Sequence, residues 1–248
     1  MARALGHRPR FVIAYLLLGA AAGAVLGGFI VLAKKPGPKP APAWSSWQPI
    51  SSSRDAQVLE IAQHVANSYR LANGNELAAV KIGAPRGGGS VRAIGVPKTA
   101  KPQTLGDFTL YDRSKSVVYV LCGDGARCNL STGTSRARGT VLRREALELA
   151  LYTMKYEPID NVLVFFPPGS AKEKVNLSLF LHRNELDHRL AQPLRDTLPQ
   201  SRPPLPGKIS EKEQATVDAL TSSSLYRFIT IADAPSFGSV LVVQPVSS

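Results

Sequence analysis

A stretch of 23 residues without a charge, FVIAYLLLGAAAGAVLGGFIVLA from Phe11 to Ala33, limits what this chain can fold into more than any other feature. A helix rises about 1.5 Å per residue, so the run would extend ~34 Å, enough to cross a bilayer core of roughly 30 Å. A cleavable leader carries a shorter apolar region of about 7–15 residues and then a polar cleavage zone. Here the run continues past Ala20–Ala22, and the reading is an uncleaved transmembrane helix over residues 11–33. Residues 1–10 form a basic tail with Arg3, Arg8 and Arg10, while Lys34, Lys35 and Lys39 follow the span, so the flanking charges tie. A short basic tail favours the cytoplasm, which sends the rest of the chain outside. The expected location is the cell membrane, single-pass, with the C-terminal domain extracytoplasmic. Gly19, Gly23 and Gly27 fall on one face of the span, a spacing that lets two helices approach closely, and they are the candidate helix–helix packing residues.

Beyond the span, KKPGPKPAPAWSSWQP (residues 34–49) cannot be helical, because proline removes donors and clashes with the preceding turn. It reads as an extended spacer with Trp44 and Trp47, the only tryptophans, at its far end. The remainder, residues 50–248, is long enough for one substantial core. Its charge is modest. The whole chain carries +12, but no acidic residue precedes Asp55, and setting aside the six basic residues around the span leaves 24 basic against 18 acidic, about +6. That suits anionic surfaces and falls short of a nucleic-acid footprint.

Periodicity within residues 50–248 alternates between helix and strand. Ser52 and Asp55 stand in capping-box spacing before a stripe of Val58, Ile61, Ala62, Val65 and Tyr69. Strand-like runs follow at Glu76–Ile82, Ser90–Val96, Thr109–Asp112 and Ser116–Cys122. The strongest helix spans Thr140–Tyr156, and its apolar residues cover so much of the circumference that it should be central and buried. NVLVFF (Asn161–Phe166) is a continuous apolar strand ended by Pro167-Pro168, and NLSLFL is another. Asn184 is placed to cap ELDHRLAQPL, and Ser210 with Glu213 forms a second capping box. Two strands close the chain. The expected class is α+β: one transmembrane helix plus a single mixed α+β domain.

Cys122 and Cys128, the only cysteines, are too few for a structural zinc site and lack the Cys-x-x-Cys redox spacing. Gly123 and Gly125 imitate a dinucleotide fingerprint, but Cys128 occupies the third glycine position. A disulfide closing a Gly-rich loop fits the spacing, persists only in an oxidising compartment, and agrees with a domain outside the membrane. His182, Glu185 and His188 do not share a helix face if Asn184 is the cap, so no metal site is expected there. No cofactor motif appears; GTSRARGT (Gly133–Thr140) lacks the Walker lysine and spacing. Arg136, Arg138, Arg143 and Arg144 gather where a helix N-terminus already carries partial positive charge, and each needs a compensating anion. Glu148 lies four residues from Arg144, and Glu145 is positioned to pair with a neighbouring element; an external anion, either a lipid phosphate or an acidic envelope polymer, is the alternative.

The segments LCGDGARC, LRREALELALYTMKY and VLVFFPP resemble those of an uncharacterised family of actinobacterial proteins with one N-terminal membrane helix, over most of the chain from WSSWQP to LRDTL. That resemblance implies location and architecture; it brings no activity and no catalytic residue. The expected function is a membrane-anchored extracytoplasmic binding or scaffolding module at the cell envelope. The alternatives are an envelope hydrolase or transferase holding an anionic substrate near Arg136–Arg144, and an accessory subunit of a membrane complex.

Overall fold

The computed structural model describes residues 13, 15–24, 43–85, 91–99, 101–125, 128–130, 135–170, 172, 174, 177–234 and 238–246, and the chain divides into two compact units, Met1–Pro42 and Ala43–Ser248. In the first unit, residues 13 and 15–24 are helical and exposed. Ten consecutive helical residues rise about 15 Å, half of a bilayer core. Among the described residues no helix is long and apolar enough to cross a membrane, so the expected span is not supported there. The rest of the run, Gly27 included, lies outside the described residues. A side chain added at Gly19 or Gly23 would meet nothing within 4 Å.

The second unit is a mixed α+β fold. Its helices are α1 (Arg54–Ser68), α2 (Arg136–Tyr156), α3 (Arg183–Leu190), α4 (Leu194–Thr197) and α5 (Glu211–Thr221), which with the N-terminal one make six among the described residues. Its strands are β1 (Ala79–Ile82), β2 (Val91–Pro97), β3 (Phe108–Asp112), β4 (Ser116–Cys122), β5 (Asn161–Phe165), β6 (Leu177–His182), β7 (Leu225–Ala234) and β8 (Gly238–Pro245). They form one sheet in the order β1-β4-β5-β6-β7-β8-β2-β3. The β4–β5 and β2–β8 pairs are parallel and the others antiparallel.

Strands β4 and β5 are buried at every position, as continuous Val/Leu runs require when both faces of a parallel pair are covered. On one face Val117, Tyr119, Leu121, Val162 and Val164 join the helices in the larger core. On the other, Val118, Val120, Leu163 and Phe165 pack with Phe180, Ile94, Leu241 and Val243. This second core exists because the sheet coils: Tyr111 on β3, four strands from β6, stands 5.0 Å from the ring of Phe180 and 5.0 Å from that of His182. Register shifts between Phe228 and Thr230 on β7, and between Val91 and Ala93 on β2, supply the extra bend. Helix α2 is buried around most of its circumference, against the sheet on one side and α1 and α5 on others. Trp44 and Trp47 pack against this core, edge-on to Tyr152 at 5.2 and 5.4 Å.

Local signals differ in detail from the sequence reading. Ser53, not Ser52, caps α1 and accepts from the Ala56 N–H. Helix α2 starts at Arg136, four residues before Thr140, with the Ser135 hydroxyl accepting from Arg138. His182 holds the cap position of α3 and Asn184 lies inside it. Ser210 caps α5 and accepts from the Glu213 N–H as the capping-box spacing requires, but the Glu213 carboxylate turns inward to Arg144.

Cys122 and Cys128 are joined in a disulfide at the end of β4. The enclosed turn bonds to itself: Gly123 N–H donates to the Cys128 carbonyl (3.0 Å) and Gly125 N–H to that of Asn129 (2.8 Å). A Cβ at Gly123 would stand 2.3 Å from the Asn129 carbonyl oxygen, so only glycine fits. Constraining so small a loop contributes about 2 kcal/mol in the chain-entropy treatment. Urea unfolding of the full chain should therefore show a loss of roughly that size in a Cys122→Ser/Cys128→Ser variant, and dithiothreitol should have no further effect on it.

Candidate functional site

Successive helical residues are rotated by about 100°, so the four arginines of α2 cannot form one patch. Arg144 is 1% exposed. Its Nε donates to Glu213 Oε1 (2.6 Å), Nη1 to Glu148 Oε2 (2.8 Å) and to the Tyr69 hydroxyl, and Nη2 to the Gln200 carbonyl (3.0 Å). Arg138, also buried, reaches the Leu77 carbonyl (3.4 Å) and stands 3.6 Å from Asp124. Arg143 pairs with Asp218 and donates to Thr221 Oγ1 (3.1 Å). Arg136 is exposed and has no ion pair among the described residues. The expected Arg144–Glu148 pair is present. The expected pairing of Glu145 is not: its carboxyl is fully buried and neither oxygen has a hydrogen-bond partner among the described residues. Burial first, then the charges of Glu148 and Glu76, push its pKa well above the ordinary value.

Arg136 and Arg143, seven residues apart and so on one helix face, meet at a cavity of about 400 Å³, within the range of roughly 300–1,000 Å³ that suits small-molecule ligands. It lies beyond the C-terminal end of β5, beside the first half of α2, where ligands gather in sheets with a βαβ crossover. Leu130, Leu142, Phe166, Pro167, Pro168, Leu177 and Leu225 give it an apolar lining; Gly139 and Thr140 come from the helix, and Arg136, Arg143 and Lys174 supply charge. The lining includes no carboxylate and no imidazole among the described residues. The sequence reading passed over Gly139, Leu142, Phe166 and Lys174. The signal available was the spacing of Arg136, Gly139 and Arg143 at i, i+3 and i+7, which puts a glycine between two cations on one face.

The histidines are placed elsewhere. His182 borders a second cleft with Tyr111, Asn161, Glu185 and Asp187. Its Nδ1 is 2.8 Å from Asn161 Oδ1, Asn161 Nδ2 donates to Ser116 Oγ (3.3 Å), and Ser116 Oγ donates to the Asp112 carbonyl (2.7 Å). This chain fastens the ends of β3, β4, β5 and β6 together. Burial lowers the His182 pKa, against the opposing charge of Glu185. His64 is stacked on Trp47 with centroids 3.9 Å apart, and burial lowers its pKa too. No group of three or more His, Cys, Asp or Glu suited to a metal ion occurs among the described residues.

No family model, no curated protein and no solved structure matches the chain. The site must be read from its own residues.

Proposed function

We propose that this chain is a membrane-anchored, extracytoplasmic binding module that takes up a phosphate- or carboxylate-bearing ligand of the cell envelope in the cavity beside Arg136. The observation that carries this reading is the lining of the cavity, mostly apolar side chains together with the exposed cations Arg136 and Lys174. An anion there meets Arg136 and Lys174, whose charge-assisted hydrogen bonds are roughly twice as strong as neutral ones. Acid–base turnover of such a ligand would call for a carboxylate or imidazole in reach, and the described lining offers apolar and cationic groups instead; binding is the better-supported reading. The uncharged run of residues 11–33 supports anchoring, and the disulfide supports an oxidising compartment.

Two measurements test the two halves of this proposal. On intact cells making the full chain, a membrane-impermeant maleimide should label Cys122 and Cys128 only after mild reduction; labelling only after lysis, without reductant, would place the domain inside. With the full chain in phosphatidylcholine nanodiscs, vesicles containing phosphatidylglycerol should capture the protein and pure phosphatidylcholine vesicles should not. An Arg136→Glu/Lys174→Glu variant should weaken that capture by about tenfold or more. Capture indifferent to both substitutions would remove the anion-binding role.

A further inference from the structure

The cavity restricts its occupant further than by charge alone. Several backbone N–H groups of its wall are already spent or missing. Pro167 and Pro168 have no N–H; the Phe166 N–H is spent on the Leu177 carbonyl (2.9 Å), the Leu130 N–H on Pro168 (2.9 Å) and the Gly139 N–H on Ser135 (2.9 Å). A sugar or peptide seated against these groups would find no free N–H on them, and each hydroxyl or amide buried without a partner costs about 1–3 kcal/mol. An alkyl chain has nothing to lose. At the rim the situation reverses. Arg143 is already compensated by Asp218, whereas Arg136 and Lys174 are exposed and make no ion pair among the described residues.

Gly139 makes the opening. Glycine in a helix costs up to about 1 kcal/mol relative to alanine, and no contact among the described residues requires it here: an added Cβ would meet none of their atoms within 4 Å. The space it leaves belongs to the cavity it lines. From these observations we infer that the cavity is a binding site for a single-chain anionic lipid, with the chain lying over Gly139 against Leu142 and Phe166 and the head held by Arg136 and Lys174. This rests on the binding role proposed above and specifies the ligand class.

The test uses the full chain in phosphatidylcholine nanodiscs, titrated calorimetrically with dodecyl phosphate, with dodecanol and inorganic phosphate as the separate halves of the ligand, after subtraction of partitioning into empty nanodiscs. Dodecyl phosphate should saturate one site per chain, with each half at least about tenfold weaker. A Gly139→Leu variant should lose saturable binding while unfolding at the same or a higher temperature, because the added side chain fills the cavity and improves the helix. Arg136→Glu/Lys174→Glu should weaken dodecyl phosphate binding by about tenfold and leave dodecanol unchanged. Inorganic phosphate binding as tightly as dodecyl phosphate would overturn the lipid assignment and leave the anion-binding role standing. Saturable dodecyl phosphate binding that survives Gly139→Leu would place the site elsewhere and overturn the inference. Absence of binding to dodecyl phosphate overturns it as well, and if phosphatidylglycerol vesicles also fail to capture the chain, the broader role fails with it.

Discussion

An Arg144→Met variant is expected to lose roughly 3–5 kcal/mol of stability, the cost of removing one partner from a buried ionic group. Among the described residues the guanidinium is the only cation paired with Glu213, which is itself fully buried. It also reaches Glu148, and its carbon lies 5.4 Å from the centre of the Tyr69 ring. The Tyr69 hydroxyl accepts from Arg144 and donates to Glu148 Oε2 (2.6 Å), so one substitution breaks contacts from the C-cap of α1, from α2 and from α5 together. Without Arg144, the Glu213 carboxylate has no compensating charge in an interior where water cannot replace it. Most of the loss therefore comes from the stranded acid rather than from missing contacts. The sharper expectation concerns the double variant: Arg144→Met with Glu213→Gln should recover a large part of what the single change loses, giving a coupling of about 1–3 kcal/mol. Urea unfolding of the full chain in mild detergent, followed by fluorescence of Trp44 and Trp47, measures both. A single-variant loss under about 1 kcal/mol would mean the cluster is wet and the pairing is of the surface kind.

That cluster also marks where sequence reasoning stopped. The continuous runs of β4 and β5, the unusually apolar circumference of α2 and the Ser210 cap all announce themselves locally, because burial on two faces and orphan N–H groups impose local residue preferences. The Arg144–Glu148 pair is visible as an i,i+4 spacing. Glu213 is not: it lies 69 residues further on, and its capping-box position suggested a return to its own helix, whereas desolvation makes the buried guanidinium the stronger attraction. The parallel pairing of β2 with β8 was equally hidden, since register between strands so far apart depends on how the sheet coils. For the four arginines, proximity in sequence does not give proximity in space: the helix sends Arg136 and Arg143 to the cavity and turns Arg138 and Arg144 inward. Glu145 fails in the opposite sense, because no periodicity argument anticipates a carboxyl left unpaired in a core.

Glu145 should for that reason be a position where mutation improves the fold. Its carboxyl is fully buried, both oxygens lack hydrogen-bond partners among the described residues, and the charges of Glu148 and Glu76 add repulsion. The group stays protonated in the folded state at pH values where it ionises in the unfolded chain. Below the ordinary glutamate value of about 4.5 both states hold the proton and nothing is lost. As pH rises above that value, the unfolded chain releases its proton while the folded state cannot, so stability falls steadily until the folded group ionises as well. Replacing Glu145 with methionine removes both the unsatisfied polar group and this slope. At neutral pH the Glu145→Met variant should exceed the parent by roughly 2–3 kcal/mol, and the gap should narrow as pH is lowered toward 4.5. Glu145→Gln should flatten the same pH dependence with a smaller gain, because the amide is neutral but still lacks partners. Urea titrations of the three proteins at several pH values decide the matter: a constant gap between the parent and Glu145→Met would show that the carboxyl ionises in the folded state as readily as in the unfolded chain, a gap that shrinks as pH rises would show a charge partner, and a loss in the methionine variant would show that the carboxyl is satisfied.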